Sequence, residues 1–185
     1  VTEQDDNALL AAHVAGDPDA FSELFQRHAD RLWALALRTL QHPQDAEEVL
    51  QEAMISAFRR ASGFRGDAAV GTWLYRIVLN ACFDRLRRRR SAPATVAGDE
   101  VIALLASNRP GPEETALRRS LAAEVELALG QLSADQRAAL VLVDIDGHSM
   151  EEAAVILGCA PGTVKSRCSR GRARLAPLLR HLVEA

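Results

Sequence analysis

The sequence predicts an all-α protein made of two small helical domains joined by a flexible linker. Three observations predict it. Hydrophobic residues make up 48 % of the 185-residue chain but aromatic ones only 4 %, and Ala and Leu dominate, a composition suited to helices rather than strands. Apolar residues recur at three- and four-residue spacing through most of the chain, as helices buried on one face require. Between them, Ser91 to Pro112 carries Pro93, Gly98, Pro110, Gly111 and Pro112 and little periodicity beyond VIALLA at 101–106. That stretch reads as a tether too short to be a domain, which leaves domains at 1–90 and 113–185.

In the first half, Asn7 to Gly16 predicts a short helix with Leu9, Leu10 and Val14 inward. Asp17-Pro18 predicts a restart, with an acid as N-cap and proline at the first helical position. The helix from Pro18 to about Gln41 repeats Phe21, Leu24, Phe25, Leu32, Leu35 and Ala36, and His42-Pro43 breaks it. A third helix, from about Asp45 to Ala61, has Ala46, Val49, Leu50, Ala53, Ile55, Ala57 and Phe58 on its apolar side. Its polar side holds Glu47, Glu48, Gln51 and Glu52 and ends in Arg59-Arg60. Acids first and bases last complement the helix dipole, and the same pattern suits a surface for a basic partner. The loop Ser62–Gly66 holds Phe64 and Arg65 between glycines. The ring can staple the loop to a neighbouring helix, or an aromatic beside a cation can contact an unpaired base. The fourth helix, from about Val70 to Arg90, is apolar at Trp73, Leu74, Ile77, Val78, Leu79, Ala81, Cys82, Phe83 and Leu86. A narrow polar stripe crosses it at Arg76, Asn80, Asp84 and Arg87 or Arg88. Asn can bond a base edge with two groups, and the arginine run that follows suits phosphates.

In the second half, Glu113 to Gly130 predicts a helix with Leu117, Leu121, Val125 and Leu129 inward. Ser133 and Gln136 have the spacing of a capping box, opening a helix from Ala134 to about Asp146. Ser149 and Glu152 form a second box, so another helix begins at about Met150 with Ala153, Ala154, Ile156 and Leu157 inward. Gly158 stops it in a left-handed turn, and Pro161 opens the last helix. Val164, Cys168, Gly171 and Leu175 form that helix's inward stripe. Lys165, Ser166, Ser169, Arg170 and Ala173 project outward, with Arg167, Arg172 and Arg174 on the flanks. Helix, tight turn and helix, with short polar and cationic groups outward, is the plan of a DNA-binding helix-turn-helix.

Charge is unevenly placed. The total is −3, yet residues 1–30 hold seven acids and one Arg, and residues 84–90 hold five Arg and one acid. From Pro161 to Ala185 there are one Lys, five Arg and one Glu. Two basic stretches on an acidic chain suggest two separate contacts with a polyanion. Cys82, Cys159 and Cys168 have no metal-ligand spacing and read as small buried hydrophobes. The five histidines are scattered, and no nucleophile has a visible base, so neither a metal, a cofactor nor a catalytic residue is expected. No run is long enough to span a membrane and no signal peptide opens the chain, so a cytoplasmic location is expected.

Both halves resemble one family. GDPDAFSELFQRHADRL, DAEEVLQEA and FRGDAAVGTWLYRIVLNACFDRLRRRR resemble domain two of bacterial sigma factors of the extracytoplasmic-function (ECF) class. LSADQRAALVLVDIDGHSMEEAAVILGCAPGTVKSRCSRGRARL resembles domain four, and the nearest subgroup is an actinobacterial M-type one. The resemblance implies that Asp45, Glu47, Glu48, Leu50, Gln51 and Glu52 bind the β′ clamp helices of core RNA polymerase, with the β subunit a further contact. It implies that Phe64, Arg65, Arg76, Asn80, Asp84, Arg87 and Arg88 open and read the minus-ten element. Flipping a base from its stack costs about a few kcal/mol, which a pocket beside the loop must offset. Thr163, Lys165, Ser166, Arg167, Ser169 and Arg170 would hold the minus-thirty-five element as duplex, with Arg172 and Arg174 on phosphates. An anti-sigma factor, often membrane-anchored in the family, is implied as a regulatory partner. The chain departs from the family pattern at Ala153, Cys168, Met150 and Gly71, which puts the filling of the helix-turn-helix core and the contacts before Trp73 in question. The rival reading is a free-standing helix-turn-helix regulator, which would bind duplex tightly by itself.

Overall fold

The computed structural model describes residues 5–89 and 115–182, with the side chains of the second stretch described from 121 to 181. Among these residues there are helices and turns and no strand. The predicted tether, the VIALLA run, Arg90 and the Leu117 side chain lie outside the described residues.

The first half is a four-helix unit: α1 (Asp6–Val14), α2 (Ala20–Leu40), α3 (Pro43–Arg60) and α4 (Val70–Arg89). Its core is aliphatic. Leu9, Leu24, Leu32, Leu35, Leu37, Leu74 and Leu79 are fully buried, as the four-residue spacing requires. Three local expectations change. Asp17 does not cap α2: its carboxylate accepts the Asp19 amide, forming a turn, and the helix starts at Ala20. Val14, Ile55 and Phe58 stay about half exposed, and Phe58 packs its ring on His13 and Phe21 at the margin of the core. The third helix starts at Pro43 rather than Asp45, since His42 caps it and proline occupies its first turn without losing an amide donor. The turn before it places Gln41 in the left-handed region (φ 53°), where its side-chain amide donates to the Arg38 carbonyl.

The second half contains α5 (Thr115–Gly130), α6 (Ala134–Leu140), α7 (Met150–Leu157) and α8 (Pro161–Leu179). Ser133 accepts from the Gln136 amide, but the Gln136 side-chain oxygen is buried without a hydrogen-bond partner, so only half of the expected capping box forms. The helix predicted to run to Asp146 changes at Val141 into a π-helical turn, Val141–Ile145. Ser149 and Glu152 make both bonds of their box, at 3.1 and 2.8 Å. Gly158 turns the chain at φ 62°, and Pro161 opens α8. Val164, Cys168 and Gly171 are buried where α8 crosses α6. A Cβ on Gly171 would stand 2.6 Å from the buried Leu140 Cδ1, so any larger residue at the crossing must displace that side chain.

The halves are docked. Helices α2 and α4 pack against α6 and α7, and the buried side chains of both halves form one cluster. No described helix is long and apolar enough to cross a membrane.

Candidate nucleic-acid interface

Three surfaces carry the residues singled out by the sequence. On α3, Glu47, Glu48, Gln51 and Glu52 are exposed and Leu50 is half-buried. Glu47, Leu50 and Gln51 line an open groove of about 490 Å³ whose other walls are Phe25, Trp33, Met54 and Ile55. The groove sets an apolar floor beside carboxylates, a surface suited to a basic amphipathic partner. Asp45 does not join that surface. It is 7 % exposed and turned toward α4. Arg85 donates to its Oδ1 at 3.0 and 2.5 Å, and Arg89 to its Oδ2 at 2.7 Å. Two guanidiniums compensate one buried carboxylate, which fixes α3 against α4. Arg85 also donates to Glu48 at 2.7 Å. Its pKa rises through the hydrogen bond to Asp45. Arg85 and Arg89 therefore belong to the joint between helices, a role that the arginine run gave no means of separating from phosphate contact.

The second surface is the loop before α4 and the polar stripe along it. Phe64 is half-buried and tilted against Trp73, with ring centroids 5.4 Å apart, so the ring staples the loop to α4. Arg65 is exposed beside it. Arg76, Asn80, Arg87 and Arg88 are exposed along the helix, and Asp84 pairs with Arg87. The stripe thus presents one amide and several cations on a rigid helix anchored by the Asp45 clasp.

The third surface is the outer face of α8. Thr163, Lys165, Ser166, Ser169, Arg170 and Arg174 are exposed. Arg170 also donates to the Ser166 carbonyl at 3.3 Å. Arg167 is half-buried and held by Asp135 at 3.0 Å and the Cys159 sulfur at 3.8 Å. Arg172 makes a two-pronged contact with Asp144 at 3.0 and 2.6 Å, and that contact raises its pKa. Asp144 sits in the π turn, so this irregular turn orients the flank of α8. The capping box that starts α7 depresses the Glu152 pKa through its bonds to Ser149. Burial pushes the Cys82 thiol up to about 12 and raises that of Cys168, so neither is a thiolate at neutral pH. No cluster of His, Cys, Asp and Glu suited to a metal occurs among the described residues.

Sequence reasoning missed a fourth group, at the seam between the halves. Arg38 donates to Glu126 at 2.8 Å, and Arg137 donates to the Thr39 carbonyl at 2.7 Å. Tyr75 meets His148 edge-on at 4.9 Å, and the Asp146 carboxylate lies near enough to act on its hydroxyl. Burial is the first cause of the raised Tyr75 and Asp146 pKa values and lowers that of Arg137 to about 10. These partners lie far apart in the chain, where spacing carries no signal.

Residues 24–92 match the family model for Sigma-70 region 2, and residues 122–175 the model for Sigma-70 region 4. The chain is 50 % identical over 180 residues to the ECF RNA polymerase sigma factor SigM of Mycobacterium tuberculosis (strain H37Rv), covering 97 % of this chain and 87 % of that protein. It is 36 % identical over 194 residues to the RNA polymerase sigma-H factor of Pseudomonas aeruginosa, covering 97 % and 98 %. The fold is similar to the sigma factor RpoE solved in complex with the anti-sigma factor NepR from Bartonella quintana (TM-score 0.69, 29 % identity, 88 % of this chain and 98 % of that one). It is similar to CnrH in complex with the cytosolic domain of CnrY at a TM-score of 0.68 and 29 % identity, over 95 % of this chain and 97 % of that one.

Proposed function

The chain belongs to the ECF sigma factors, and from that membership we propose how its surfaces divide the work of promoter selection. It is an alternative sigma factor: it binds core RNA polymerase and promoter DNA and directs promoter-specific initiation, melting the minus-ten element and docking the minus-thirty-five element. The observation that carries this is the order of two region models on one chain together with 50 % identity over nearly all of it.

Residues 1–90 form the polymerase- and minus-ten-binding domain, 91–112 the linker and 113–185 the minus-thirty-five-binding domain. Glu47, Glu48, Leu50, Gln51 and Glu52 meet the β′ clamp helices along the α3 groove. Asp45 acts beneath them by holding α4 in place. Phe64, Arg65, Arg76, Asn80, Asp84, Arg87 and Arg88 engage the opened minus-ten strand. Asn80 offers a donor and an acceptor to one base edge, and the cations follow the backbone. Thr163, Lys165, Ser166, Ser169 and Arg170 read the minus-thirty-five duplex from the start of α8, the end that enters the major groove in this motif. Arg167, Arg172 and Arg174 flank it toward phosphates, and the first two must exchange Asp135 and Asp144 for DNA. The chain performs no catalysis of its own, works in the cytoplasm, and is restrained by an anti-sigma factor.

Promoter preference of reconstituted holoenzyme, read from a library, separates the two DNA surfaces. Asn80→Ala reduces minus-ten discrimination by about tenfold or more and leaves core binding intact. Arg170→Ala reduces minus-thirty-five use to a similar degree. Unchanged preference in either variant removes that residue, and loss of core binding reassigns its face.

A further inference from the structure

The seam between the halves is built unlike the core of either half. Six polar or charged residues are buried among those described, and four of them, Arg38, Thr39, Glu126 and Arg137, lie at this seam. Arg38 and Glu126 are a pair taken almost wholly out of water, with side chains 10 % and 8 % exposed. Arg137 donates to the carbonyls of Leu129, Gly130 and Leu132 near the end of α5 and then reaches across to Thr39 on α2. Beside them Tyr75 of α4 meets Asp146 and His148, just after the π turn.

The seam is held in register and yet incompletely satisfied. Glu126 Oε2, Arg137 Nε and Asp146 Oδ2 are buried without a hydrogen-bond partner. A permanent core leaves few such atoms, because each is better off in water. Separation of the halves would hydrate all three, while the charge pairing and the Arg137 bridge oppose it. Such an interface favours one docked register and can still open.

Docking also has a geometric consequence, which rests on the sigma-factor reading. The two promoter elements are centred about 25 base pairs apart, or about 85 Å of B-form duplex at 3.4 Å per pair. A compact chain of this length has a radius of gyration of about 16 Å and a diameter near 40 Å. In the docked chain α4, which carries Asn80, packs against α7, and α7 packs against α8. The two reading faces therefore stand within the width of one small globule. The docked chain can present either face, but it cannot hold both elements at once.

We propose that the Arg38–Glu126 pair and the Arg137–Thr39 bridge form a polar latch that keeps the free chain closed. The latch must release before the halves engage the polymerase and both promoter elements together. Two of the structures with which the chain shares its whole-chain arrangement are sigma factors held by anti-sigma factors. The latch supplies a comparable closed state from contacts within the chain.

The test reads the distance between spin labels at Ser22→Cys and Ala176→Cys, both exposed positions, in the 185-residue chain carrying Cys159→Ser; Cys82 and Cys168 are buried and stay unlabelled. The same proteins are titrated against core polymerase. The free chain should give a single distance within the roughly 40 Å of a closed globule. Glu126→Arg should move the distribution beyond that limit and strengthen core binding by about tenfold, as removal of a closed competitor does. Arg38→Glu added to Glu126→Arg should restore both readings. Circular dichroism checks that each variant is folded. Tyr75→Phe, which keeps the ring and removes only the hydroxyl that faces Asp146, gives a milder shift in the same direction should Glu126→Arg fail to fold. A free chain that is already open, or variants that open without any gain in core binding, overturns the latch. Failure of the unaltered chain to bind core overturns the sigma reading instead, and the distances distinguish the two results.

Discussion

The interior of each half and the seam between them are both buried, but they are made of different chemistry. Inside the first half, Leu24, Leu32, Leu35 and Leu37 meet other aliphatic side chains with no accessible surface left. At the seam, an Arg, a Glu and a second Arg are buried together, and Glu126 Oε2, Arg137 Nε and the nearby Asp146 Oδ2 find no hydrogen-bond partner. Aliphatic burial is non-directional and grows with area, so it makes a unit stable without depending on a single register. A buried ion pair contributes little net stability but strongly disfavours misaligned or half-open arrangements. The difference predicts that the halves can fold as separate units, with the register of their docking set by the buried charges and not only by the apolar cluster they share.

That distinction can be broken or sharpened by substitution. Leu24→Ala should cost the first half about 3 kcal/mol, the usual penalty for removing a fully buried leucine side chain. If the seam is separable, urea melts followed by a probe in each half will show only the first transition moving. Coincident movement of both would mean that the halves fold as one unit. Gly171→Val makes the converse case. Its side chain would drive into Leu140 at the α6–α8 crossing and destabilise the second half by about 2 kcal/mol, with the first half unmoved in the same melts.

The smallest effect concerns pH. Burial raises the Asp146 pKa in the docked chain above its value in water, so docking takes up a proton. The cost of burying its carboxylate is fully present above the raised value and vanishes below the ordinary carboxylate range. Closure should therefore tighten as pH falls through that window. Tyr75, Arg31, Arg38 and His148 also face this group. Comparison with Asp146→Asn isolates the carboxyl: the pH slope of the closed fraction, read from label distances, should flatten in that variant.

What the sequence made legible follows from the range of the forces involved. The Ser149–Glu152 box, the Gly158 turn and the Pro161 start are decided within four residues, and they appear where their spacing put them. The α3 boundary moved by two residues because the cap is a histidine ring, outside the usual Ser, Thr, Asp and Asn set. Asp17-Pro18 misled because the carboxylate had a nearer donor in the Asp19 amide. Long-range pairings were invisible. Asp45 reads as one acid among several on an acidic helix, yet its partners lie 40 and 44 residues away on α4. Arg38 and Glu126 are 88 residues apart and look like ordinary surface charges of two separate helices. Periodicity shows which face of a helix is apolar, and it carries no trace of which buried charge another will meet.

The measurement that tests the central claim most directly is run-off transcription from a library of promoter fragments, with and without core RNA polymerase. The account predicts transcripts only when core is present, from promoters that share two sequence elements about 25 base pairs apart. Tight, specific duplex binding by the chain alone, with no core-dependent transcript, would contradict it and identify a free-standing helix-turn-helix regulator.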